Sequence, residues 1–107
     1  MKQLSQEIKD KIVESLKPID AYKIILFGSY AYGEANEDSD LDLCVVENAY
    51  ENRFEEKRKI RALLDDIKMP IDILNPKVDE YNFYKNEINS VYYDMDKKGI
   101  VLWQQSS

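Results

Sequence analysis

The stretch Ile24-Ile25-Leu26-Phe27-Gly28-Ser29-Tyr30-Ala31-Tyr32-Gly33-Glu34-Ala35-Asn36-Glu37-Asp38-Ser39-Asp40-Leu41-Asp42-Leu43 decides the fold. An apolar run, rich in aliphatic residues from Tyr22 to Phe27, predicts a strand that stops at Gly28. Glycine lets a bound group approach the backbone without a Cβ in the way. Ser29 is a helix N-cap candidate for a short helix through about Gly33. Free N–H groups at a helix start, with a hydroxyl added, make an anion site, so Gly28 and Ser29 are candidate phosphate-binding residues. On the pair alone an ordinary turn is the commoner outcome.

The second half of the stretch, Asp40-Leu41-Asp42-Leu43-Cys44-Val45-Val46, reads as another strand. Alternation puts Asp40 and Asp42 on one face and Leu41 and Leu43 on the other, with the two carboxylate-bearing Cβ atoms about 7 Å apart. Two anions held this close repel, and a cation between them relieves the repulsion. Magnesium suits such a place, because it takes a few carboxylates and completes its shell with water and substrate phosphate. A solvated strand face is the plainer alternative, although Asp is disfavoured in strands. Pro70-Ile71-Asp72-Ile73-Leu74-Asn75 reads as a third strand with Asp72 opposite its isoleucines. If that strand lies beside Asp40–Val46, three carboxylates share one sheet face across from a phosphate-sized turn. That is the pattern of a two-metal site for phosphoryl or nucleotidyl transfer.

Gly28-Ser29, ten residues, then Asp40-x-Asp42 resembles the signature of the DNA polymerase β-like nucleotidyltransferase superfamily. The wording of the stretch and the chain length look most like its small branch, the minimal nucleotidyltransferases, antitoxin-type partners of HEPN proteins. The Asp72 strand stands at the place of that family's third carboxylate, and Gly99-Ile100-Val101-Leu102-Trp103 is similar to its closing motif. Tyr32 departs from the pattern, since many relatives carry Arg there. The resemblance implies an α+β fold: a small mixed β-sheet flanked by helices, the polymerase-β-like palm. It also implies ATP as substrate, Mg2+ in a two-metal site on Asp40, Asp42 and Asp72, and transfer of AMP to a hydroxyl. The acceptor it implies is a tyrosine of a cognate HEPN toxin.

Composition bounds these readings. A chain of 107 residues is expected to be one domain, 1–107, with 44% apolar and 34% charged residues, as in a globular protein. There is no apolar stretch of membrane-spanning length, and the polar start Met1-Lys2-Gln3-Leu4-Ser5 has no signal-peptide core, so a cytoplasmic location is expected. A single cysteine, Cys44, excludes an internal disulfide and reads as a core residue. The absence of histidine removes Ser-His-Asp and Cys-His catalysis, leaving carboxylates, Tyr or Lys for proton transfer. A net charge of −6 argues against direct nucleic-acid binding and favours metal cations or a partner with a basic face.

The rest of the chain frames the motif. Leu4–Leu16 reads as an amphipathic helix with Ser5 as its cap and Pro18 beyond its end. Residues 47–52 read as a polar connection to a helix from Arg53 to about Lys68, capped by Asn52. Its basic cluster, Arg53, Lys57, Arg58, Lys59 and Arg61, is interleaved with Glu51, Glu55 and Glu56, which favours ion pairing along the helix over contact with an acidic partner. Residues 78–88 and 90–98 read as helical, with Tyr84, Ile88, Val91, Tyr92 and Met95 on one apolar face, and 100–103 as a last strand before a frayed tail. Tyr81, Tyr84, Tyr92 and Tyr93 cluster here, suited to packing or to a protein interface.

Two other functions fit the same residues. One is a non-catalytic module that binds or scaffolds a helical partner. The other is a small-molecule nucleotidyltransferase completed by a partner subunit. Both are separated from protein adenylylation by what becomes labelled when nucleotide is supplied.

Overall fold

The computed structural model describes residues 4–106; residues 1–3 of the expected polar start and Ser107 of the expected tail lie outside the described residues. The elements run α1 (Gln6–Ser15), β1 (Ala21–Phe27), α2 (Ser29–Tyr32), β2 (Leu41–Glu47), α3 (Arg53–Leu63), β3 (Ile71–Leu74), α4 (Val78–Tyr84), α5 (Val91–Lys98) and β4 (Ile100–Gln104). The four strands form one mixed sheet in the order β3-β2-β1-β4. β1 is antiparallel to both neighbours, and β2 and β3 are parallel. Parallel neighbours need a crossover, and α3 provides it. This is the expected α+β architecture with a small mixed sheet flanked by helices.

β2 is central and covered on both faces, so six of its seven residues are buried and the strand reads as an almost continuous apolar run. On one face Leu41, Leu43 and Val45 join Ile24 and Leu26 of β1 under α1 and α3, which contribute Ile12, Leu16, Ile60 and Leu64. On the other face Cys44, Val46 and Ile25 pack under α4 and α5 through Tyr81 and Met95. Complete burial of each large aliphatic side chain contributes about 1.5–3 kcal/mol. The helix caps follow the sequence: Ser5 Oγ accepts from Ile8 N–H, Asn52 Oδ1 from Glu55 N–H and Ser90 Oγ from Tyr92 N–H.

Several expectations are corrected. The helix after Asn52 is regular only to Leu63 and ends in turns. Ser29 is the first residue of α2, whose cap is Gly28. Glu47 belongs to β2 and is buried, not part of a polar connection. The apolar face assigned to 84–95 splits, because the chain turns between α4 and α5: Tyr81 and Met95 are buried, whereas Tyr84, Ile88 and Val91 are exposed. The basic residues of α3 make no ion pair along the helix among the described residues; Arg53 instead reaches Glu80 of α4.

Glu47 is 1% exposed. Asn75 Nδ2 donates to Glu47 Oε2 at 2.9 Å and to the Val45 carbonyl at 2.8 Å. Burial, helped by a hydrogen-bonded Glu56 carboxyl, raises the Glu47 pKa from 4.5 to about 8, against the opposing pull of Asn75 and Lys59. The folded protein therefore holds a proton that the unfolded chain releases. This favours folding below about pH 4.5, and the benefit is lost as pH rises to about 8. Glu47→Gln keeps the acceptor for Asn75 and removes the charge. It is expected to stabilise the fold at alkaline pH, by about 1–3 kcal/mol, and to flatten the fall of Tm across that interval in thermal melts at several pH values.

Candidate active site

The site is assembled where β1 ends and β2 and β3 begin. Phe27 pairs with Asp42 across the β1–β2 ladder, which brings the turn after β1 over that carboxylate. Gly28 has φ 75° and ψ −158°, a conformation that is essentially glycine-only. A Cβ on Gly28 would also overlap the Asp42 carboxylate, lying 2.9 Å from its Cγ. Glycine is thus required twice, by the backbone bend and by the carboxylate against it. The Gly28 carbonyl accepts from Ala31 N–H at 3.0 Å and Tyr32 N–H at 2.9 Å, closing the short α2. Gly33, at φ 81°, ends it.

Asp42 and Asp72 are direct partners in the parallel β2–β3 register. Partners in register share a face, so the two carboxylates stand side by side above the Cys44 and Leu74 pair of the same strands. Asp40 lies one residue before β2 rather than within it, and is exposed. Asp42 is partly buried and Asp72 exposed. Burial, then the negative charges of Asp72 and Asp40, raise the Asp42 carboxyl above the ordinary carboxylate range. The five residues singled out in the sequence, Gly28, Ser29, Asp40, Asp42 and Asp72, therefore fall at one end of the sheet.

Among the described residues no three acidic side chains converge into a ready-made metal cage. The donor set nevertheless fits magnesium: the ion keeps several waters, takes one or two carboxylates and fills its remaining positions from substrate phosphate. The upward pressure on Asp42 from its acidic neighbours is of the kind a cation would relieve.

Two further residues border the turn: Tyr32, which the sequence marks as a departure from the family pattern, and Asp94, which the sequence reading missed. The Tyr32 phenol reaches the Gly28 backbone, and burial, together with the charges of Asp94 and Asp42, pushes its pKa up. The phenol thus stays neutral beside the turn. Asp94 comes from α5, which packs on the sheet through Met95. No spacing rule links residues 32 and 94, so this proximity is visible only once α5 is docked.

A strand, a glycine turn and paired acidic residues on adjacent strands are elements that a nucleotidyl-transfer site needs. The family model for the nucleotidyltransferase domain matches residues 6–100, and the chain belongs to that family of enzymes. It is similar to a protein of Methanocaldococcus jannaschii that bears the name Putative protein adenylyltransferase MJ1379, with 37% identity over 94 residues, 82% of this chain and 93% of the relative. Its fold matches that of a toxin–antitoxin structure with AMP-PNP, at TM-score 0.66 and 20% identity, covering 92% of this chain and 74% of that one. It also matches a chain from the complex of a tri-AMPylated Shewanella oneidensis HEPN toxin with MNT antitoxin, at TM-score 0.61 and 17% identity, covering 95% and 74%. At those identities the structural likeness is one of fold.

Proposed function

We propose that this nucleotidyltransferase moves AMP from ATP, with Mg2+, onto a protein hydroxyl, a tyrosine of a cognate HEPN toxin, and so acts as the antitoxin of a pair. The observation that carries the transfer reading is the side-by-side register of Asp42 and Asp72 beneath the Gly28 turn. The protein acceptor and the HEPN partner are supported by the names of the relative and of the fold neighbours.

In this reading Gly28 N–H and the Ser29 hydroxyl hold the β- and γ-phosphates, with Tyr32 yielding its contact to Gly28 as they enter. Asp40 and Asp42 would hold the magnesium of the triphosphate, and the same pair with Asp72 would hold a second ion. Bound magnesium supplies charge neutralisation along the triphosphate and lowers the pKa of the acceptor hydroxyl. Asp72 would take the acceptor's proton, a role that its exposure supports. The acceptor oxygen then bonds to the α-phosphorus, the bond from that phosphorus to the bridging oxygen breaks, and pyrophosphate leaves.

The test is label transfer. ATP labelled on the α-phosphate, magnesium and this protein are added to a lysate of the source cell, with Asp42→Asn as control, and the products are run on a denaturing gel. One labelled protein band, lost with the variant, is the expected result. Label in a small molecule instead would make the acceptor a metabolite, and no label anywhere would favour a non-catalytic binding module.

A further inference from the structure

Helix α3 turns Phe54, Lys57, Arg58 and Arg61 away from the sheet, at spacings that form one helix face. These four side chains line a shallow cavity of about 320 Å³. Phe54 is 71% exposed, and the Arg58 guanidinium stands 5.2 Å from its ring centroid.

The acids interleaved with them in sequence point elsewhere. Glu56 is hydrogen-bonded toward buried Glu47, and Glu55 lines a different cavity, with Lys59 and Asp20. Arg53 is spent on Glu80. Among the described residues the ion pairs are Lys17–Glu14 and Arg53–Glu80, so Lys57, Arg58 and Arg61 have no carboxylate partner. In a chain of net charge −6 this is a local concentration of positive charge around an exposed aromatic ring. Arginine and aromatic residues are the types enriched where protein interfaces are anchored.

We propose that this face of α3 is a docking surface for an acidic, amphipathic helical segment of the acceptor protein. Charge complementarity selects the occupant: carboxylates would meet the three unpaired cations while an apolar side chain covers Phe54. An extended polyanion such as RNA would have to run past the strongly acidic remainder of the molecule. The strip also reaches the edge of the sheet. Arg61 Nη1 donates to the Ile71 carbonyl at 3.0 Å, and Ile71 immediately precedes Asp72. A partner laid along α3 is thereby brought to the β3 edge of the sheet, and it reaches Asp72, whose side chain is on the opposite face from α3, by wrapping around that edge strand. The identity of the occupant as acceptor rests on the transfer reading; the docking itself does not.

The experiment measures fluorescence anisotropy of the full chain with three probes. One is a helical peptide of about twenty residues with glutamates flanking a leucine face. The second is the same peptide with lysine for glutamate, and the third is oligo-uridylate. The protein is used as wild type, as Lys57→Glu/Arg58→Glu, as Phe54→Ala and as Asp42→Asn, each checked by thermal melting. The acidic peptide is expected to bind the wild type and Asp42→Asn alike and to weaken as salt is raised. It should lose at least about tenfold in affinity to the double variant and several-fold to Phe54→Ala, while the lysine peptide does not bind. Absence of acidic-peptide binding, or equal binding to the double variant, overturns the proposal. Binding of oligo-uridylate through these cations, in place of the peptide, overturns it in favour of a nucleic acid. Peptide binding that holds while no protein accepts label would leave the surface standing and remove the transfer reading.

Discussion

Asp42→Asn is expected to lower nucleotidyl transfer on the order of 10³-fold or more while raising the thermal stability of the metal-free protein. The two effects have one cause. Asp42 is partly buried beside Asp72 and near Asp40, and its carboxyl pKa is raised by burial first and by those charges second. A carboxyl raised in the folded state favours folding below its unfolded pKa, and that benefit is lost as pH climbs through the folded value. At neutral pH the ionised Asp42 therefore opposes folding, and a neutral isostere removes the opposition. The same substitution takes an anionic ligand from the place where magnesium and the triphosphate are proposed to meet, and transition-state charge stabilisation of that kind is usually the largest single catalytic contribution. Steady-state transfer rates and metal-free melting curves for the two proteins check both halves. Full activity in the variant would remove Asp42 from the reaction. A lower Tm would mean that its carboxylate contributes favourably to the fold.

Gly28→Ala is expected to damage both the fold and the site. The backbone at φ 75°, ψ −158° costs a non-glycine residue about 1–3 kcal/mol, and the overlap with Asp42 adds about as much again. Against the total stability of a small domain, about 5–15 kcal/mol, this is a large fraction. Tm should fall by about 10 °C or more, with transfer falling too because the new methyl displaces the carboxylate. A double-mutant cycle separates the two costs. In an Asp42→Ala background the methyl meets little beyond the Asp42 Cβ position at 3.1 Å, so the steric part should shrink while the backbone part persists. Equal losses in both backgrounds would show that backbone conformation alone makes glycine necessary.

Much of the site could be read in the sequence because it depends on short-range rules. An apolar run that stops at Gly28, and two aspartates at strand spacing, are local patterns. The structure has them as β1, its turn, the residue before β2 (Asp40) and the second residue of β2 (Asp42). The adjacency of Asp72 to Asp42 is conditional in the sequence, since it depends on which strand neighbours which; the parallel β2–β3 pairing supplies it. Side-chain destinations were less legible. The i, i+4 spacing of the α3 charges suggested pairing along the helix, but burial draws Glu56 inward to Glu47, and α4 offers Glu80 to Arg53. Glu47 reads as part of a polar connection, because nothing local announces that Asn75, twenty-eight residues away, donates to it. The exposed Tyr84, Ile88 and Val91 fit a helical stripe in sequence, and only the turn between α4 and α5 turns them outward.

The strand order also sets a timetable for the chain during synthesis. β1 and β2 can pair as soon as both have emerged, because they are neighbours in sequence and in the sheet. β3 must wait for the α3 crossover, and β4, near the end of the chain, returns to the far edge of β1. Such long-range pairing is slow compared with local contacts. A ribosome-bound fragment that stops short of residue 72 carries the glycine turn and Asp42 without the neighbouring carboxylate. On the proposed reading such a fragment lacks one of the three carboxylates, and the candidate site is complete only once β3 has paired with β2.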